Sequence, residues 1–83
     1  MAIGEIGLDR GPGKPDFDAQ LDAFRLQLDL ARSLSKPTLV HSRDAAGAVL
    51  RCLQERPGPG GVLHAWAGSV ELAVELAKLG YRF

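Results

Sequence analysis

With 83 residues, 46% hydrophobic and 24% charged, the chain has room for one structural unit and not two, since domains usually run to about 100–200 residues. Ten lysines and arginines balance ten aspartates and glutamates, so bulk charge steers it towards neither nucleic acid nor an anionic membrane. One cysteine excludes an intrachain disulfide, no apolar run approaches the roughly 18 residues of a membrane span, and a signal-peptide pattern is lacking; the expectation is a cytoplasmic protein without membrane contact.

The pattern alternates along the chain. Ala2 to Leu8 is short, apolar and punctuated by Gly4 and Gly7, which suits a strand packed closely against a neighbour. After the Gly11-Pro12-Gly13-Lys14-Pro15 loop, Asp16 is placed to cap a helix. Phe17, Leu21, Phe24, Leu28, Ala31 and Leu34 then recur at steps of three or four, one apolar stripe that must end before Pro37. Pro37 to His41 reads as a second strand. Asp44 to about Arg56 reads as a second helix, capped by Asp44, with Ala45, Ala48, Val49, Cys52 and Leu53 on its buried side. Pro57-Gly58-Pro59-Gly60 stops it, and Gly61 to His64 is the third strand. Ser69 caps a third helix whose stripe is Val70, Ala73, Val74 and Ala77, ended by Gly80; Tyr81-Arg82-Phe83 begins a fourth strand.

Strand–helix alternation with short connections predicts right-handed crossovers and a parallel sheet. The unbroken apolar strands predict burial on both faces. The fold class is α/β, a partial TIM barrel of about three consecutive βα units, since a full (β/α)₈ barrel uses roughly 250 residues for eight. Three strands cannot close a barrel, so residues 1–83 form a single open segment.

Both histidines, His41 and His64, close a predicted parallel strand, at the edge where ligands and catalytic groups of such sheets gather. The plainer reading gives each imidazole a loop hydrogen bond. Glu5 adds a carboxylate inside an apolar strand, costly to bury unless it meets a cation or a salt-bridge partner such as Arg10 or Arg43. Adjacent strands lie about 4.8 Å apart, so Glu5, His41 and His64 can converge on one or two metal ions. Imidazole with carboxylate suits zinc, manganese or iron, and a two-metal site favours hydrolysis of a phosphate ester or amide.

Other chemistries find less support. Glu5 and Asp9 stand about 13 Å apart on an extended strand, too far for a glycosidase pair, and Asp9 reads as a loop-fixing residue with a substrate contact as the alternative. There is no G-x-S-x-G elbow, Ser42 projects away from His41, and Cys52 lies on a helix's apolar side, where packing is its role. The glycine spacing does not make a dinucleotide fingerprint. Trp66 either lines the pocket mouth or packs, and Arg43 either meets a substrate anion or is solvated.

Gly4-Glu5-Ile6-Gly7-Leu8-Asp9, Gln27-Leu28-Asp29-Leu30-Ala31, His41-Ser42-Arg43-Asp44-Ala45, and Val62-Leu63-His64 with Gly68-Ser69 together resemble the TatD family of metal-dependent hydrolases and deoxyribonucleases. The resemblance spans essentially the whole chain. It implies a TIM barrel, one or two divalent ions (magnesium, manganese or zinc), and DNA as the substrate, cut at its phosphodiester bonds. By motif position, Glu5, His41 and His64 match metal ligands; Asp9 matches a motif position but is not carried over as a ligand. Ala65-Trp66 stands where the family usually has Cys-Phe, and Arg10 where an aromatic is common. The family's earlier His-x-His pair and later aspartate ligand have no counterpart in this sequence. The expectation is therefore a partial site and an 83-residue polypeptide with little activity. Two alternatives stand beside it: a non-catalytic α/β fragment that associates through open sheet edges, and an amidohydrolase-type enzyme acting on an amide or lactone.

Overall fold

The computed structural model of the chain describes residues 2–64 and 68–83. Four strands and three helices alternate: β1 (Ile3–Asp9), α1 (Phe17–Ser33), β2 (Thr38–Arg43), α2 (Ala46–Glu55), β3 (Gly61–His64), α3 (Val70–Lys78) and β4 (Tyr81–Arg82). The strands pair in parallel in the order β1-β2-β3-β4, as the crossover reasoning requires. The fourth strand is present as a two-residue stub. Among the described residues, no helix is long and apolar enough to cross a membrane.

One core holds the sheet to its helices. Leu8, Val40 and Leu63 from the strands pack with Phe24 and Leu28 of α1, Val49, Cys52 and Leu53 of α2, and Leu76 of α3. Only one sheet face is covered. Along β2, Thr38, Val40 and Ser42 are buried, while Leu39 and His41 between them are half-buried and Arg43 is exposed. Val62 of β3 is 43% exposed. The predicted burial on both faces is thus corrected: period-two side chains put one set on the helices and the other on an open face.

Two caps form as expected. The Asp16 carboxylate accepts from the Ala19 amide at 3.3 Å, and the Ser69 hydroxyl from the Leu72 amide at 3.2 Å. Asp44 does not cap α2. Its φ is +53°, a left-handed kink that turns the chain off β2, and Ala45 occupies the cap without a side-chain bond. The apolar stripe of α3 is also different. Leu76 is buried and Leu72 and Leu79 pack against the core, while Val70 is 76% and Val74 48% exposed. Both stripes have helical spacing; the leucines offer more apolar surface to remove from water and win the core. On α2, Leu50 joins the expected buried residues, and Leu34, the C-cap of α1, stays half-exposed.

Glycines set the strand spacing. A Cβ on Gly7 would stand 1.9 Å from the His41 carbonyl oxygen, and one on Gly61 1.8 Å from the Thr38 carbonyl oxygen. Gly61 pairs with both Thr38 and Tyr81, and across its bare Cα the buried Thr38 and Tyr81 hydroxyls meet at 3.1 Å.

Candidate metal centre

Three neighbouring strands build the centre: His64 ends β3, whereas β2 runs two residues past His41, which was expected to close it, and Glu5 lies within β1. His41 and His64 are register partners on β2 and β3, so their side chains leave neighbouring strands on the same open face. Glu5 reaches them by an irregularity in β1. Gly4 stands opposite Leu39 and Ile6 opposite Val40, which leaves Glu5 as an extra, unpaired residue between them. Bulges of this kind bend a strand and re-aim one side chain. The result is close contact: Glu5 Oε2 lies 2.8 Å from His64 Nδ1 and Oε1 lies 3.4 Å from His41 Nδ1. The first is a hydrogen bond. The second is close enough for an ion pair but lacks hydrogen-bond geometry, and His41 Nδ1 is buried without a hydrogen-bond partner. Neither Arg10 nor Arg43 is the partner of Glu5. The Arg10 guanidinium sits over the Phe17 ring, 3.7 Å from its centroid.

A carboxylate and two imidazoles are hard and borderline donors that suit zinc, manganese or iron. A buried ring nitrogen left without a hydrogen-bond partner is uncommon. Among the described residues, however, no three His, Cys, Asp or Glu side chains stand ready to hold one ion. The reason is local. Glu5 is spent on the His64 hydrogen bond, so the donors point at one another rather than at a shared centre. His64 is 67% and Glu5 41% exposed on their side chains, so solvent reaches this arrangement freely.

A cavity of about 400 Å³ opens over the cluster, its wall including Glu5, His41, His64, Asp9, Lys14 and Arg43. Asp9 thus shares the cavity with the three candidate ligands, and so does Arg43. The Asp9 carboxylate fixes the following loop: it accepts from the Gly11 amide at 2.7 Å and lies 3.6 Å from Lys14 Nζ. The Gly11 amide holds this carboxyl below the usual carboxylate range; Lys14 and Arg43 act the same way, and partial burial opposes them. The loop-fixing reading of Asp9 matches these bonds. Ser42 is buried on the helix side of β2, and Cys52 is buried in the core, its thiol pushed up by burial. Trp66 lies outside the described residues.

One residue of this region gave no signal in the sequence. Gln20, a turn into α1, accepts from the Asp9 amide at 2.8 Å and donates to the Asp9 and Pro15 carbonyls, each at 2.9 Å. Its side chain replaces backbone partners for the end of β1 and the end of the loop. A glutamine on a polar helix face looks the same in sequence whether it clamps a loop or faces water.

The whole chain, residues 1–83, matches the family described as TatD related DNase. The chain belongs to the TatD family. Its relatives include an uncharacterized metal-dependent hydrolase YabD of Bacillus subtilis, 39% identical over 83 residues that cover 98% of this chain and 32% of that protein. The human deoxyribonuclease TATDN3 is 37% identical, covering all of this chain and 32% of its own length. Among solved structures, the TatD homologue YJJV of Escherichia coli superposes with a TM-score of 0.89 at 36% identity, over 96% of this chain and 31% of that one. The chain therefore spans about a third of the length of these TatD relatives, and its four parallel strands with three helices are one sector of their α/β fold.

Proposed function

We propose that this TatD segment is the metal-bearing sector of a hydrolase that cleaves DNA phosphodiester bonds, with Glu5, His41 and His64 holding a divalent cation. One observation carries the reading: the Glu5 carboxylate spans both imidazoles at 2.8 and 3.4 Å while His41 Nδ1 stays buried and unpartnered. The names of the relatives, metal-dependent hydrolase and deoxyribonuclease, support it. A divalent cation, magnesium, manganese or zinc, supplies an activated water and neutralises charge developing on phosphate oxygens. The chain's own side chains do the rest. The half-buried His41 fixes one donor against the sheet, Glu5 can turn from His64 to a cation, and Arg43 on the cavity wall offers a planar guanidinium to a phosphate oxygen.

As an 83-residue polypeptide the chain should hydrolyse DNA weakly or not at all, because three donors on an open sheet are poorly preorganised. Calorimetric titration with manganese or zinc tests the ligand set. Glu5→Gln keeps the shape and a hydrogen-bonding oxygen but removes the charge; it should weaken metal binding by well over about tenfold, since changes merely next to ligands already cost about 10–100-fold. Unchanged affinity in both Glu5→Gln and His41→Ala would remove the reading.

A second reading is supported by exposed apolar surface. Val62 on the open sheet face is 43% exposed, and Val70 and Val74 on the outer side of α3 are 76% and 48% exposed, surface that favours association with a second copy. Concentration-dependent association together with no metal affinity would favour that fragment over the hydrolase.

A further inference from the structure

The β1–α1 loop brings a cation to the cavity that neither the motifs nor the strand ends account for. Lys14 lines the same cavity as Glu5, His41 and His64, and its ammonium lies 3.6 Å from the Asp9 carboxylate. Arg43 reaches the same spot from β2. A Cβ on Gly11 would stand 2.8 Å from Asp9 Oδ1 and 2.9 Å from Arg43 Nη1, so carboxylate and guanidinium lie side by side against the bare Gly11.

The backbone on both sides of Lys14 is tied. Gly11 is held by the Asp9 carboxylate and Pro15 by the Gln20 amide, and Arg10 bonds through its backbone amide to the Arg43 carbonyl at 3.1 Å. Pro12 and Pro15 stiffen what lies between. A lysine at a free loop tip would gain nothing from such bracing. Its side chain is 47% exposed and its pairing with Asp9 is long, so the ion pair is weak and open to exchange for a stronger anion.

The charges on the cavity wall point the same way. Glu5, Asp9 and Asp44 set three negative charges against Lys14 and Arg43. A dication on Glu5 and the imidazoles reverses that balance, and the two side-chain cations then face the entering substrate.

We infer that Lys14, braced by Asp9 and standing on the same cavity wall as Arg43, is a substrate-binding residue that holds a backbone phosphate next to the one being cleaved. The inference rests on the hydrolase reading for its substrate. It makes Lys14 a phosphate contact rather than a catalytic residue, and Asp9 a positioning residue that acts through it.

The test is binding of a labelled single-stranded phosphorothioate oligonucleotide to the manganese-loaded chain, read by fluorescence anisotropy across salt concentrations. For single strands each phosphate contact contributes about 0.7 to the slope of log K against log salt. Lys14→Ala should lower the slope by about that amount and weaken binding several-fold, whatever the sequence, and Lys14→Arg should restore both. Manganese affinity, measured separately by calorimetry, should stay at the wild-type value in both variants. A wild-type slope and affinity in Lys14→Ala overturns the inference, and does so even where the chain binds metal and cuts DNA. Loss of the slope without rescue by Lys14→Arg also counts against it. Failure of the wild-type chain to bind manganese is a different result, seen in the calorimetry alone, and strikes the hydrolase reading instead.

Discussion

Replacing Gly7 with alanine tests whether the β1–β2 spacing carries the candidate centre. Gly7 has φ +149° and is the register partner of His41. Its new Cβ would stand 1.9 Å from the His41 carbonyl oxygen, whereas carbon and carbonyl oxygen ordinarily approach to about 3.3 Å, so roughly 1.4 Å must be absorbed. Backbone hydrogen bonds near 2.9 Å cannot stretch that far and survive. Two ladder bonds at about 1 kcal/mol each, with about 1–3 kcal/mol for an unfavourable φ, give a cost of about 3–5 kcal/mol. A chain of this length holds only about 4–12 kcal/mol in total. Gly47 is the internal control: it lies in α2, a Cβ there meets nothing within 4 Å, and Gly47→Ala should stabilise by about 0.5–1 kcal/mol. Urea denaturation followed by circular dichroism measures both. The midpoint should fall by molar amounts or vanish in Gly7→Ala and rise in Gly47→Ala. Gly7→Ala within about 0.5 kcal/mol of wild type, or both variants moving the same way, would refute the reasoning.

Two further outcomes follow from the structure. In α3, Leu76→Ala should cost about 2–5 kcal/mol while Val70→Ala stays within about 0.5 kcal/mol, because Leu76 is fully buried and Val70 is 76% exposed; equal melting temperatures for the two would restore the valine-faced stripe. Asp9 gives a pH dependence. Its folded pKa is depressed, chiefly by the Gly11 amide, so its contribution is present above the unfolded value of about 3.9 and is lost only as pH falls through the lower folded value. The Gly11 amide resonance should therefore hold its position down to about pH 4 and move below it; a midpoint at or above about 4 contradicts the bond.

What the sequence made legible was what period and punctuation encode. The βα alternation, the Asp16 and Ser69 caps, the strand ending in His64 and the start of a fourth strand at Tyr81 each rest on local patterns, and each is present. The α3 stripe failed because two sets of apolar residues share one helical period there, and only the tertiary neighbours choose between them. Asp44 failed for a related reason. An aspartate before a helix serves equally as a cap or as a left-handed kink, and the exit of β2 required the kink. The bulge at Glu5 was written only as a pair of glycines in a strand, a hint without a position. The Gln20 bonds and the place of Lys14 on the cavity wall were not visible at all, since both depend on a loop folding back over the strand that precedes it.

The face on which the candidate ligands sit is decided by residues that bear no donor. Along β2, a slip of one position would send His41 to the helices and bring Val40 to the cavity, since side chains alternate strictly. Hydrophobic burial opposes that slip, because Val40 would leave the core and His41 would enter it. Gly7 and Gly61 oppose it more sharply. Each lets a neighbouring carbonyl approach, that of His41 and Thr38 respectively, and a slip of one residue would bring a side chain against that carbonyl. The imidazoles are thus placed by two absent side chains, and Glu5 by being the residue that β1 leaves unpaired. With His64 as a proposed ligand, Gly61→Ala should lower manganese affinity in calorimetry before the helical circular dichroism signal falls; loss of helix with affinity intact would contradict this placement.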